Sequence, residues 1–237
     1  MNHILSFPGH ASGGGGPRAP WRDPAPDPSR STLSEAWAVA SADAGVMAFV
    51  LATLARPGPV IWVQDRLSAR EGGVPYARSL RREPIHVHAG RVADALQAME
   101  ASLRCPAVAG VVGEIWGEAP RLDFTATKRL AMRAERAGVP CWIIRRGARP
   151  GLSAARTRWR VASLPSQADP WDDRAPGPPR WRVELFRARD GRTGTWIATD
   201  DGVGGEDAPH RLRLVPASGD GPLGRPIRPV RPDRVAG

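Results

Sequence analysis

Apolar residues along this chain come in short blocks separated by glycine, proline and charge, and the blocks switch between strand and helix period. The run AWAVA at 36–40 is followed by an apolar helix over 43–55 (DAGVMAFVLATLA), then by PVIWVQ at 59–64, a β-branched strand entered through Pro57-Gly58-Pro59. A weakly helical piece is expected from Tyr76 to Leu80 and a strand, PIHVHA, at 84–89. Residues 91–103 are clearly amphipathic: Val92, Leu96, Met99 and Leu103 share one face, with Arg91, Asp94, Gln97 and Glu100 turned outward. VAGVVGEIW at 108–116 is nearly continuous apolar sequence, as in a central parallel strand covered on both faces. A second good helix spans 123–137, capped by Asp123 or Thr125 and stopped at Gly138. VPCWIIRR (139–146) reads as a strand, and TRWRVASL (157–164) alternates like a half-buried edge strand.

This alternation predicts an α/β core over 31–164, a mostly parallel sheet flanked by helices. A Pro-rich linker at 165–179 leads to a β extension over 180–216 that packs on the core. It consists of a hairpin (RWRVELFRAR, TGTWIAT) turning at Asp190-Gly191 and one more strand at 210–215. Residues 1–30 and 217–237 are too rich in Gly, Pro and Arg to bury a core and read as disordered tails.

Composition changes the picture in one respect. Lys128 is the single lysine beside 33 arginines, and Gly and Pro number 26 and 25, a bias that GC-rich coding produces by itself. Codon bias spreads arginine evenly, however, and here the excess is concentrated. Residues 31–120 carry 8 basic and 9 acidic side chains and 166–237 carry 12 and 11, whereas 121–160 carries 11 basic side chains against Asp123 and Glu135. Forty residues thus hold almost all of the net charge of +10, which suits a polyanion or an acidic protein surface. Cys105 and Cys141 form no disulfide or zinc framework, which fits a reducing cytoplasm. No stretch reads as a secretory signal or a membrane span.

Candidate chemistry is sparse. A parallel α/β sheet invites nucleotide at its first strand-to-helix turn, where a phosphate cradle needs successive glycines, a lysine and a Ser/Thr. VASADAGVMAF (39–49) stands there instead, with Gly45 as its only glycine and Asp43 opposing phosphate. Glu114 ends an apolar strand where a magnesium-associated acid would sit, with a structural carboxylate as the alternative. His86 and His88 share a strand face, but no third ligand stands at metal spacing. No catalytic residue, cofactor or metal is therefore expected. Trp62, Trp116 and Trp142 read as core. Trp159, Trp181 and Trp196 alternate with arginines, so packing is weighed there against half-exposed stacking.

The blocks GPVIWVQD, ADALQAMEASLRC, VAGVVGEI, LDFTATKRLAMRAERAGVPCWIIR, SAARTRWRVASLPS and PPRWRVELFRARDGRTGTWIATDD, over roughly 33–215, resemble the alphaproteobacterial ImuA family, distant relatives of RecA. The resemblance implies a RecA-like core without an intact phosphate loop. It also implies an accessory role in damage-induced translesion synthesis, alongside an ImuB-like Y-family homologue, an error-prone polymerase and RecA. A SulA-like inhibitor of cell division and a cryptic ATPase using Glu114 stand as alternatives. In the RecA comparison, RRGARPGLSAAR (145–156) falls where RecA carries a mobile DNA-contacting loop. Arg145, Arg146, Arg149, Arg156, Arg158 and Arg160 are the contact candidates for single-stranded DNA or a protein partner. They are expected on one open face, where replacing the loop members leaves the fold intact.

Overall fold

The computed structural model describes residues 31–54, 56–76, 80, 84–169, 171–172, 174–189, 193–201 and 212–217. The tail expected at 1–30, all of the tail expected at 217–237 except Ala217, and the hairpin turn at Asp190-Gly191 lie outside them, as do residues 77–79; the Ala217 amide donates to the Thr195 carbonyl at 3.0 Å. Among the described residues, thirteen elements follow in chain order: β1 (Leu33–Ala38), α1 (Gly45–Thr53), β2 (Val60–Asp65), α2 (Arg66–Gly72), β3 (Ile85–Ala89), α3 (Val92–Ser102), β4 (Gly110–Trp116), α4 (Phe124–Ala137), β5 (Cys141–Arg146), β6 (Thr157–Leu164), β7 (Arg180–Ala188), β8 (Gly194–Asp200) and β9 (Leu212–Pro216).

All nine strands join in one sheet, ordered β3-β2-β4-β5-β1-β6-β7-β8-β9. From β3 to β6 neighbours run parallel; from β6 to β9 they run antiparallel. The result is a mixed α/β fold with a mostly parallel sheet, helices on its faces and antiparallel strands at the C-terminal end. One sequence expectation needs correction. β6 lies inside the sheet between β1 and β7, so it is no edge strand. The strands after the linker extend the same sheet through the β6–β7 pairing, and their Trp181, Val183 and Trp196 join a core cluster.

Each face of the sheet has its own apolar cluster. α3 and α4 cover one, with Leu96, Met99, Leu130 and Ala134 against Val63, Val111, Ile115 and Ile143. On the other, Val46, Phe49 and Val50 of α1 meet five tryptophans, Trp62, Trp142, Trp159, Trp181 and Trp196. Phe49 centres that cluster, its ring 5.8–6.2 Å from those of Trp142, Trp159 and Trp181. The Arg/Trp alternation of β6 and β7 therefore turns tryptophan inward. Trp116 departs from the core expectation, being only half-buried.

Local chemistry explains the boundaries. Asp123, not Thr125, caps α4, its carboxylate accepting from the Ala126 amide at 2.7 Å, and Gly138 ends the helix with φ +66°. Gly113 lets α3 approach β4: a Cβ there would collide with the Met99 side chain. α2 was not expected from periodicity. Its start is set by Asp65, whose carboxylate accepts from the Ser68 amide at 3.1 Å. Cys141 is buried in β5 and Cys105 is exposed; both are free thiols. Among the described residues no helix is long and apolar enough to cross a membrane.

Candidate functional site

The turn after β1 is filled from within the chain. Asp43 places one carboxylate oxygen 2.8 Å from the Gly45 amide, the first of α1, and 2.6 Å from the Ser163 hydroxyl. Its other oxygen accepts from the Ser163 amide at 2.7 Å. A helix N-terminus attracts an anion, and here a side chain supplies it. Gly45 is required by crowding: a Cβ would collide with the Ser163 hydroxyl and stand 3.0 Å from the Trp181 ring.

Glu114 is fully buried at the end of β4. Arg146 Nε stands 2.7 Å from its Oε1, and the Gln64 amide donates to Oε2 at 2.7 Å. Burial pushes the carboxyl above its ordinary value, outweighing the opposite pull of Arg146 and Gln64. Arg146 also donates to the Ser41 carbonyl at 2.9 Å, tying this pair back to the β1–α1 turn. Gln64 Oε1 accepts from His86 Nε2 at 2.8 Å, and the His86 ring lies edge-on to His88 at 4.0 Å between centroids. Burial, then the His88 charge, lowers the pKa of His86. The acid once considered for magnesium is thus engaged by an arginine, and the histidines belong to the same polar chain.

The six arginine candidates do not gather on one open face. Arg145, Arg146 and Arg158 are buried. Arg158 donates from Nε to Glu35 at 2.9 Å and from Nη2 to the Gly151 carbonyl at 2.9 Å, with Trp37 and Phe186 rings 4.7 and 5.4 Å from its guanidinium. Arg160 holds both oxygens of Glu184 at 3.0 Å and stacks 4.2 Å from Phe186. Arg156 pairs with Glu135 at 2.6 Å. Only Arg149 is both exposed and without an ion pair among the described residues. The expectation that the loop arginines can be removed without harm to the fold is therefore corrected for Arg145 and Arg146. Their partners lie in segments remote in sequence (Glu114, Ser41, Gly117), and no local pattern announces them.

What the structure does assemble is a cleft of about 430 Å³ between the β4–α4 turn and the β5–β6 loop. Glu35, Arg145 and Arg158 line it, with Glu118, Asp123, Phe124, Arg149 and Leu152 around them. Sequence reasoning pointed to the loop but missed Glu35, Phe124 and Leu152. The available signal was a charged residue, Glu35, in a first strand whose other members are apolar apart from Ser34.

No family model matches the chain. Two curated proteins, each described as Protein ImuA and each from a strain of Caulobacter vibrioides, are 38% identical to it over 168 residues. The match covers 67% of this chain and 66% of each relative, so about two thirds of either length. At that identity over about two thirds of its length, the chain belongs to the ImuA family.

Proposed function

We propose that this chain is a non-catalytic accessory protein of damage-induced mutagenesis. It works by contact, linking an ImuB-type Y-family homologue and an error-prone polymerase to RecA or damaged DNA in translesion synthesis. The family name supports the mutagenesis theme. The observation that carries the contact mechanism is Asp43, which occupies the helix terminus where a RecA-like core would take phosphate. A carboxylate bound to the first amide of α1 and to Ser163 leaves an incoming phosphate facing a like charge.

Deletion of the gene is expected to lower ultraviolet-induced mutation frequency while undamaged growth stays normal; an unchanged frequency overturns the role. Purified protein is expected to show no magnesium-dependent ATP turnover and no thermal shift with ATP. Turnover that disappears in Glu114→Gln would instead establish an ATPase.

A further inference from the structure

Together with the adjoining face of α4, which adds Lys128 and Arg136, the cleft sets five cations (Arg145, Arg149, Arg158, Lys128, Arg136) against three carboxylates (Glu35, Glu118, Asp123). Two guanidinium groups, Arg145 and Arg158, share its floor with one buried carboxylate, Glu35. Glu35 is already engaged: Arg158 donates to Oε2 at 2.9 Å and the Ser153 hydroxyl to Oε1 at 2.8 Å. Arg145 is only 7% exposed, its Nη2 donates to the Gly117 carbonyl at 3.2 Å, and its Nε has no partner. Glu118 on the exposed rim attracts it more weakly than Glu35 does, and Glu118 Oε1 accepts the Arg149 amide at 2.9 Å. A cleft-lining cation whose guanidinium makes one hydrogen bond among the described residues has donor capacity left for an anion.

The surroundings say what kind of anion. Phe124 and Leu152 at the mouth are 42% and 71% exposed. From Phe124, Lys128, Met132 and Arg136 follow at four-residue intervals and so lie along one face of α4. Lys128 and Arg136 form no ion pair among the described residues, whereas Arg129 and Arg133 both hold Glu100. The surface is a strip of free cations alternating with apolar side chains that runs into the cleft. A phosphate chain would carry a charge at every nucleotide past Glu35, Glu118 and Asp123 on the cleft walls and has no apolar side chain to set against Phe124 and Leu152. A peptide can deliver single carboxylates to the arginines and apolar side chains between them.

Resting on the contact reading above, we propose that this cleft and the adjoining face of α4 dock an acidic segment of a partner polypeptide. One of its carboxylates meets Arg145 and Arg149, and a neighbouring bulky apolar side chain packs between Phe124 and Leu152. The test uses the full chain against an array of synthetic peptides in which Asp and Glu flank one Phe, Leu or Trp, beside a matched array with Asn and Gln in place of the acids. Acidic members should be retained and their neutral counterparts lost. The exposed double change Arg149→Glu, Leu152→Glu should weaken binding by about tenfold or more, and Arg91→Glu, just before α3, should leave it unchanged.

Retention of no acidic peptide, or binding indifferent to the double change, overturns the proposal. So does displacement of the peptides by a tighter-binding thymidine oligonucleotide. In cells the two readings separate. Deletion that lowers induced mutation while the double variant does not would remove the docking site and keep the mutagenesis role. Peptide binding that needs Arg149 and Leu152, with deletion leaving induced mutation unchanged, would keep the site and remove the role.

Discussion

Among the described residues Arg146 and Glu114 form the most deeply buried ion pair, and each leaves the other without that counter-charge when removed. Arg146→Met is expected to destabilise the fold by about 3–5 kcal/mol, as for other buried pairs broken on one side. Adding Glu114→Gln should recover most of that loss, and urea unfolding of the single and double variants measures both. An equal loss in the two variants would mean that packing around Arg146, not charge, is what matters. Gly45→Ala should cost about 1–3 kcal/mol through the forced contact with Ser163 and Trp181, read in the same way. These residues also mark where the sequence was opaque. Arginine is mostly exposed in proteins, so a basic loop reads as an open surface. Arg158 is buried against Glu35, 123 positions away in sequence, whose other carboxylate oxygen accepts from the Ser153 hydroxyl.

Elements were far more legible than their neighbours. Apolar periodicity placed α1, α3, α4 and the parallel strands to within a few residues, since burial on a helix face or a sheet face imposes the period directly. α2 escaped because RLSAREG has no apolar stripe; the Asp65-x-x-Ser68 cap was its one signal. The position of β6 escaped because alternation reports burial on one side and says nothing of how many strands flank it. β3 supplies a prediction at this scale. In the folded chain the pKa of His86 lies below its ordinary value of 6.5, so the native state binds fewer protons than the unfolded one. Stability is therefore intact above about 6.5 and falls as pH drops toward the folded pKa. Melting temperature should decline over that window, and His86→Gln should flatten the decline; an identical slope in both proteins would exclude His86 as its source.

At the scale of the whole molecule, compensation within the chain removes most of the apparent basic character of residues 121–160. If the protein does meet single-stranded DNA through the β5–β6 loop, Arg149 is the free guanidinium there. Arg149→Ala should then lower the log–log salt slope by about 0.7, the share of one phosphate contact. A fall of about two would require Arg145 and Arg146 to leave their buried partners on binding. The sheet order carries a different consequence, one of timing. β1 lies between β5 and β6, and Ser34 pairs with Thr157 across 123 positions of sequence. During synthesis the first strand is thus made early and acquires its second neighbour only after the ribosome has delivered residue 164. Until then its edge is an open template for other chains, and long-range closure of this kind is slow. Nascent chains halted before β6 should accordingly be held by chaperones or aggregate, whereas those halted after β9 should fold.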